Sequence, residues 1–180
     1  MKIFFRVLSL KMKNLSNFDR DCVLVFDEMA LKTSFVYNKH KDCIDGFEDF
    51  EDLGHTKLQA DHALVFMLRG ISRNWKQPLG YFLVSGSVKP KILQTLVRSC
   101  LSKLASTHLN VTAIICDQGP TKRCFLEKLE NISVQQPFFL HDNRPIYVMY
   151  DPPHLLKSLR NNFKKYGFIR EGKLISWKHV

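Results

Sequence analysis

Two aspartates stand where short apolar runs end. Val23-Leu24-Val25-Phe26 closes on Asp27, and the run from Val111 to Cys116 closes on Asp117. Both runs are rich in β-branched or aromatic residues and suit buried strands, the first covered on both faces. Strand ends hold side chains more rigidly than loops do. If the two strands are neighbours in one sheet, their carboxylates lie close enough to share divalent ions, and like charges held so near need a metal to stay ionised. Magnesium or manganese suits an all-oxygen site. Two such ions, about 3.5–4 Å apart, can activate a water or a 3′-hydroxyl and stabilise the departing oxygen of a phosphodiester. On spacing alone the commoner meaning is plainer: each Asp ends its strand by capping the turn that follows.

Other groups near these positions carry less. Glu28 adjoins Asp27 but points to the opposite side of a strand, which makes it a poor second ligand for the same ion. Asp151 precedes Pro152-Pro153 and is placed to cap a helix there; service as a substitute ligand is the lesser alternative. His154, between Pro153 and Leu155, suits packing and hydrogen bonding better than catalysis. Six acids within residues 42–52, around Gly46, make a solvated loop or edge hairpin, since the fixed spacing of a calcium loop is missing. Cys22, Cys43, Cys100, Cys116 and Cys124 are odd in number and form no CxxC pair, which argues against a disulfide framework and a closed zinc site and for a reducing compartment. No glycine-rich phosphate loop is present, so nucleotide binding is a weak reading.

The elements that must position these groups follow from periodicity. A chain of 180 residues, 45% hydrophobic and 24% charged, is one domain able to bury a core. Residues 63–68 and 80–84 suit an antiparallel strand pair, joined through a polar connection that stops at Pro78. From Pro90 the period changes: Ile92, Leu93, Leu96, Val97, Cys100, Leu101 and Leu104 fall at helical spacing. Gln118-Gly119-Pro120 breaks the second aspartate's strand, and a short helix follows over 121–130. Ile146 to Met149 suits a fifth strand, after which Pro152-Pro153 opens a helix through about Lys165. The order is β, β, β, α, β, α, β, α.

The net charge of +10 favours a polyanionic partner, and it sits at the flanks: +4 in residues 1–20 and +5 in residues 151–180. The helix over 153–165 sets Leu155, Leu156, Leu159 and Phe163 on one face and Lys157, Arg160 and Lys164 on the other. A solvated face is the commoner meaning of such a stripe. Lys165, Arg170, Lys173 and Lys178 extend the charge and favour phosphate contact, which raises salt sensitivity without supplying sequence preference. Trp75 and Trp177, flanked by basic residues, could stack on bases, although single aromatics usually pack. Apolar runs reach only about half a dozen residues, far short of the roughly 20 that span a bilayer, so no membrane association is expected. The start, MKIFFRVLSLKMK, is too broken by basic residues for a secretory signal and is taken as the edge of something longer.

Four ordered motifs carry a resemblance. Cys22 to Met29, Gly54-His55-Thr56, Ile114 to Gly119, and Asp151-Pro152-Pro153-His154-Leu155-Leu156-Lys157-Ser158-Leu159-Arg160-Asn161-Asn162 together resemble the P-element transposase family, which includes the THAP-domain transposases of animals. The likeness runs from about residue 16 to 165. It implies an α/β, ribonuclease-H-like fold: a mixed five-stranded sheet, three antiparallel strands then parallel ones, with flanking helices. By that likeness Asp27 and Asp117 are the first two members of a catalytic, metal-binding DDE triad using Mg2+ or Mn2+. The third member, a Glu, lies in the family beyond a GTP-binding insertion, so GTP is not expected to bind this chain. The implied layout is a basic N-terminal segment over 1–20, an incomplete ribonuclease-H-like domain over 21–151, and a basic helix with the start of the insertion over 152–180. A THAP zinc finger and a dimerising coiled coil would lie upstream. DNA, as transposon ends and target, is the implied partner. The full-length protein is implied to be a nuclear homo-oligomer. The expected chemistry is magnesium-dependent strand cleavage and strand transfer, with the chain inactive or nearly so alone. The alternative is a domesticated or truncated non-catalytic module that binds nucleic acid or protein.

Overall fold

A computed structural model of the chain describes Leu8, residues 16–40 and residues 42–179. The basic segment expected over 1–20 lies outside the described residues except for Leu8 and 16–20. In chain order the strands begin with β1 (Asp21–Ala30), the short hairpin of β2 (Val36–Asn38) and β3 (Cys43–Asp45), then β4 (Phe47–Asp49) and β5 (His55–Gln59). The pair β6 (His62–Gly70) and β7 (Lys76–Val84) leads into α1 (Pro90–Ala105), and β8 (Asn110–Cys116) into α2 (Pro120–Cys124). After α2 the chain widens into a π-helical turn, Phe125–Leu129, which drives Phe125 and Leu126 fully into the core. Then come β9 (Phe138–His141), β10 (Arg144–Tyr150), α3 (Pro152–Tyr166) and a small hairpin of β11 (Phe168–Arg170) and β12 (Lys173–Ile175).

One mixed sheet runs β5-β4-β7-β6-β1-β8-β10-β9. The five expected strands are its middle: β7, β6 and β1 pair antiparallel, and β8 and β10 join parallel to β1. The sheet is nevertheless wider than the five strands expected, because β4, β5 and β9 add short outer strands antiparallel to their neighbours. Part of the acidic segment 42–52 thus joins the sheet as β4, one strand in from the β5 edge, where Glu48 accepts the Thr56 hydroxyl of β5 at 3.0 Å. Pro78 also differs from its expected place outside the strand. It lies within β7, opposite Met67, where the β6–β7 register shifts; a residue without an N–H is tolerated at such an irregularity.

Alternation builds the core. Cys22, Leu24 and Phe26 of β1 are fully buried, while Asp21, Val23 and Val25 between them are only half-buried. The first strand is therefore sealed on one face and partly covered on the other, not sealed on both. Against the sealed face α1 packs Leu93, Leu96, Val97, Cys100 and Leu104, in one cluster with Leu64, Phe66, Leu68 and Ile114. Phe66 stacks on Phe26 at 5.5 Å and meets Phe82 edge-on at 5.9 Å. The apolar face read for α3 is not sealed in the core: no residue of that helix is buried, Leu156 and Leu159 are 66% and 53% exposed, and Phe163 packs against Phe168 and Trp177. Both tryptophans are packing residues. Trp75 lies against the core and donates its indole N–H to the Asp19 carbonyl at 3.1 Å, and Trp177 meets Phe163 edge-on. No helix among the described residues is long and apolar enough to cross a membrane.

Gly70, where β6 leaves the sheet, lies under Trp75. A Cβ there would meet the Arg73 carbonyl oxygen at 2.6 Å and also the Trp75 indole nitrogen. Backbone cannot yield as a side-chain tip can, so Gly70→Ala should destabilise the fold by about 1–3 kcal/mol in urea unfolding. An unchanged midpoint would show that this close approach constrains nothing.

Candidate active site

The register of two parallel strands brings the aspartates together. On β1 and β8, Val25 stands opposite Ile115. Two residues further, Asp27 and Asp117 therefore lie side by side just past the last β1–β8 pair. Asp117 follows the end of β8 as expected, but Asp27 does not end its strand, since β1 runs on to Ala30 paired with β6. Asp117 also caps the turn that follows, accepting the Gly119 amide on Oδ1 at 2.9 Å before Pro120 opens α2. The plainer reading of Asp117 and the converging one are both true. Asp27 accepts the Glu28 amide on its own Oδ1 at 2.8 Å.

Between the two carboxylates sits a group that the sequence did not single out. Lys122, on α2, is 2% exposed, and its ammonium lies 2.7 Å from Asp27 Oδ1 and 3.1 Å from Asp117 Oδ1. Burial of an ammonium is tolerable only with charged acceptors around it, and here one cation is held by both aspartates in common. Glu28 reaches the edge of the same group: Oε2 is 4.0 Å from the ammonium, while Oε1 accepts the Val88 amide at 3.4 Å.

Electrostatics follow the contacts. Partial burial pushes the Asp117 carboxyl up, but the Gly119 amide and the Lys122 ammonium, with a smaller pull from His154, hold it below the ordinary aspartate value. Burial pushes Lys122 down, yet hydrogen bonds to Asp27 and Asp117 outweigh it and hold the ammonium above the ordinary lysine value. Next to them, burial pushes the Cys116 thiol up to about 12, so it is no nucleophile at neutral pH.

This donor set fits a hard dication: two carboxylates, already converged on one cation, present oxygen alone. Among the described residues no group of three or more His, Cys, Asp or Glu forms a metal cluster. Asp151 is engaged elsewhere. It caps α3, accepting the His154 amide at 3.4 Å and meeting the His154 ring at 2.9 Å, while its own amide donates to the Cys116 carbonyl at 2.9 Å. That last bond seats the start of α3 beside Asp117. Lys157, Arg160, Lys164 and Lys165 are all exposed along α3. Lys164 lies over the Trp177 ring and Lys165 over the Tyr166 ring, each at 4.8 Å, so those two cations are partly committed to aromatic faces.

Comparison with known proteins bears on this geometry. A family model described as TNP-like, RNase H N-terminal domain, matches residues 1–130. The chain is 30% identical over 165 residues to the transposable element P transposase of Drosophila melanogaster, a match covering 90% of this chain and 20% of that protein. The solved Drosophila P element transposase strand transfer complex superposes with a TM-score of 0.74 at 27% identity, covering 94% of this chain and 36% of that one. The chain thus spans about a fifth of its curated relative.

Removing the shared cation should be costly. In EDTA at neutral pH, Lys122→Ala leaves two carboxylates facing each other and should lower unfolding free energy by about 1–3 kcal/mol, reduced from the fully buried case because Asp27 is half exposed. Urea titration measures it. Full recovery of the loss in the Lys122→Ala/Asp27→Asn double variant would identify repulsion as the cause.

Proposed function

The chain belongs to the TNP-like family through its RNase H N-terminal domain, and from that premise we propose that Asp27 and Asp117 hold divalent metal for DNA strand cleavage and strand transfer in a P-element-like transposase. The observation that supports this reading is the single ammonium held in common by both carboxylates. Asp27 and Asp117 act as metal ligands of the DDE kind. When bound, Mg2+ or Mn2+ supplies charge neutralisation for in-line displacement at phosphorus. The Glu28 and Gly119 amides fix how the carboxylates face the reacting phosphate, and they need no rearrangement to do so. In the proposed scheme a third carboxylate, the family's Glu, comes from outside these residues, so the chain alone is inactive or nearly so. Displaced or missing ligands forfeit large rate factors.

Within this reading the basic segment 1–20, the incomplete domain 21–151 and the helix region 152–180 keep the roles expected of them. The THAP finger, the coiled coil, the GTP site, homo-oligomerisation and nuclear action are, in this proposal, properties of full-length members of the family. Lys157, Arg160, Lys164 and Lys165 steer DNA phosphates toward the site, since α3 begins beside Asp117. Their exposure also favours the second reading, a non-catalytic nucleic-acid module.

Two measurements test the proposal. Titration with Mn2+ should show weak binding to the purified chain that is lost in Asp27→Asn and in Asp117→Asn, with no cleavage of duplex DNA in Mg2+. Cleavage that disappears in Asp27→Ala would overturn the need for a third ligand. For the basic helix, Lys157→Ala/Arg160→Ala should flatten the dependence of log affinity on log salt by about two and weaken unrelated DNA sequences alike. An unaltered slope would remove α3 from the DNA surface.

A further inference from the structure

Lys122 is not a ligand, yet it occupies the place where the two carboxylates meet. Each Oδ1 already accepts two hydrogen bonds: Asp27 takes the Lys122 ammonium and the Glu28 amide, and Asp117 takes the same ammonium and the Gly119 amide. A carboxylate oxygen has two lone-pair sites, so both are filled. Magnesium–oxygen distances of about 2.0–2.1 Å are shorter than either ammonium contact, so an ion cannot bridge these oxygens while the ammonium stays. An ion taken by the Oδ2 atoms instead would sit one carboxylate width from a buried positive charge, and the two would repel. In either arrangement the ammonium opposes the ion.

Glu28 offers the ammonium another place. Its Oε2 lies 4.0 Å from Lys122 Nζ, its Oε1 is anchored by the Val88 amide, and its side chain is 21% exposed. The lysine stem is flexible enough to cross that gap by rotation, without movement of α2. Resting on the proposed metal role of Asp27 and Asp117, we infer that Lys122 is a displaceable internal counter-ion: it holds the carboxylates converged before metal arrives and passes to Glu28 when metal binds. Lys122 is thus a positioning residue that sets how much metal the site needs. Apparent affinity is scaled by the fraction of molecules whose carboxylates are free of the ammonium.

The test is Mn2+ binding to the purified 180-residue chain, by calorimetry or by electron paramagnetic resonance of free Mn2+, with no activity readout. Lys122→Met, which keeps volume and removes charge, should bind Mn2+ about tenfold tighter or more than the unaltered chain. Glu28→Gln should weaken binding several-fold, and that effect should disappear in the Lys122→Met background, since no ammonium is left to receive. Should Lys122→Met fold poorly, the same competition is read from Tm: Mn2+ should raise it more in the variant than in the unaltered chain. Equal or weaker binding by Lys122→Met overturns the counter-ion role while leaving the metal site standing. An equal Glu28→Gln effect in both backgrounds overturns the transfer to Glu28. No Mn2+ binding by either chain up to millimolar concentration overturns the metal reading itself, and the inference with it.

Discussion

A lysine ammonium is buried at the end of this sheet because two parallel strands deliver carboxylates to one point. The interaction is mutual. Without the ammonium the aspartates would repel, and without the aspartates the ammonium could not be desolvated. Everything that fixes the strands feeds into that point: the sealed face of β1, the aromatic contacts through Phe66, and the packing of α1 over Leu24 and Ile114. A slip of one residue in the β1–β8 pairing would turn one carboxylate to the other face of the sheet and break the shared contact of Asp27 and Asp117 with Lys122. The register of a buried sheet is strongly specified, and here the geometry of a charged site depends on it.

Much of this was legible from residue patterns because the relevant signals are local. The apolar run ending at Asp117, the helical spacing from Ile92 to Leu104, and the Asp151-Pro152-Pro153 cap all appear in the structure where they were read, whereas the strand of Asp27 runs three residues further, to Ala30, because β6 stays paired with it. The outer strands β4, β5 and β9 were missed because three to five residues carry too little periodicity to separate a strand from a loop. Pro78 was taken as a stop, and only pairing with β6 reveals the irregularity that admits it.

Lys122 was invisible for a different reason. In Thr121-Lys122-Arg123 it is one of two adjacent cations at the start of a short helix, a pattern that usually means a solvated face. What distinguishes it is where α2 leaves the sheet, which turns the first turn of that helix over the strand ends. Its neighbour Arg123 takes the ordinary course and pairs with Glu127 four residues on, at the surface. The one available clue was distance along the chain: a cation one helical turn past a strand-end aspartate and its Gly-Pro break. The assignment of the aspartates to a shared site, by contrast, drew on family likeness as well as on spacing, since capping alone accounts for Asp117 equally well.

Helix α3 leaves a different mark. No side chain of it is sealed in the core; it is capped by Asp151 at the first turn and Gly167 at the last, and Phe163 rests on Phe168 and Trp177. Gly167 has φ +70°, and a Cβ there would strike the Ile175 carbonyl. A helix held in this way opens at a free energy well below that of the sheet, so its amides should exchange with deuterium long before those of β1, β6 and β8. Because its first turn adjoins Asp117, fraying of this helix would be felt first at the rim of the charged site.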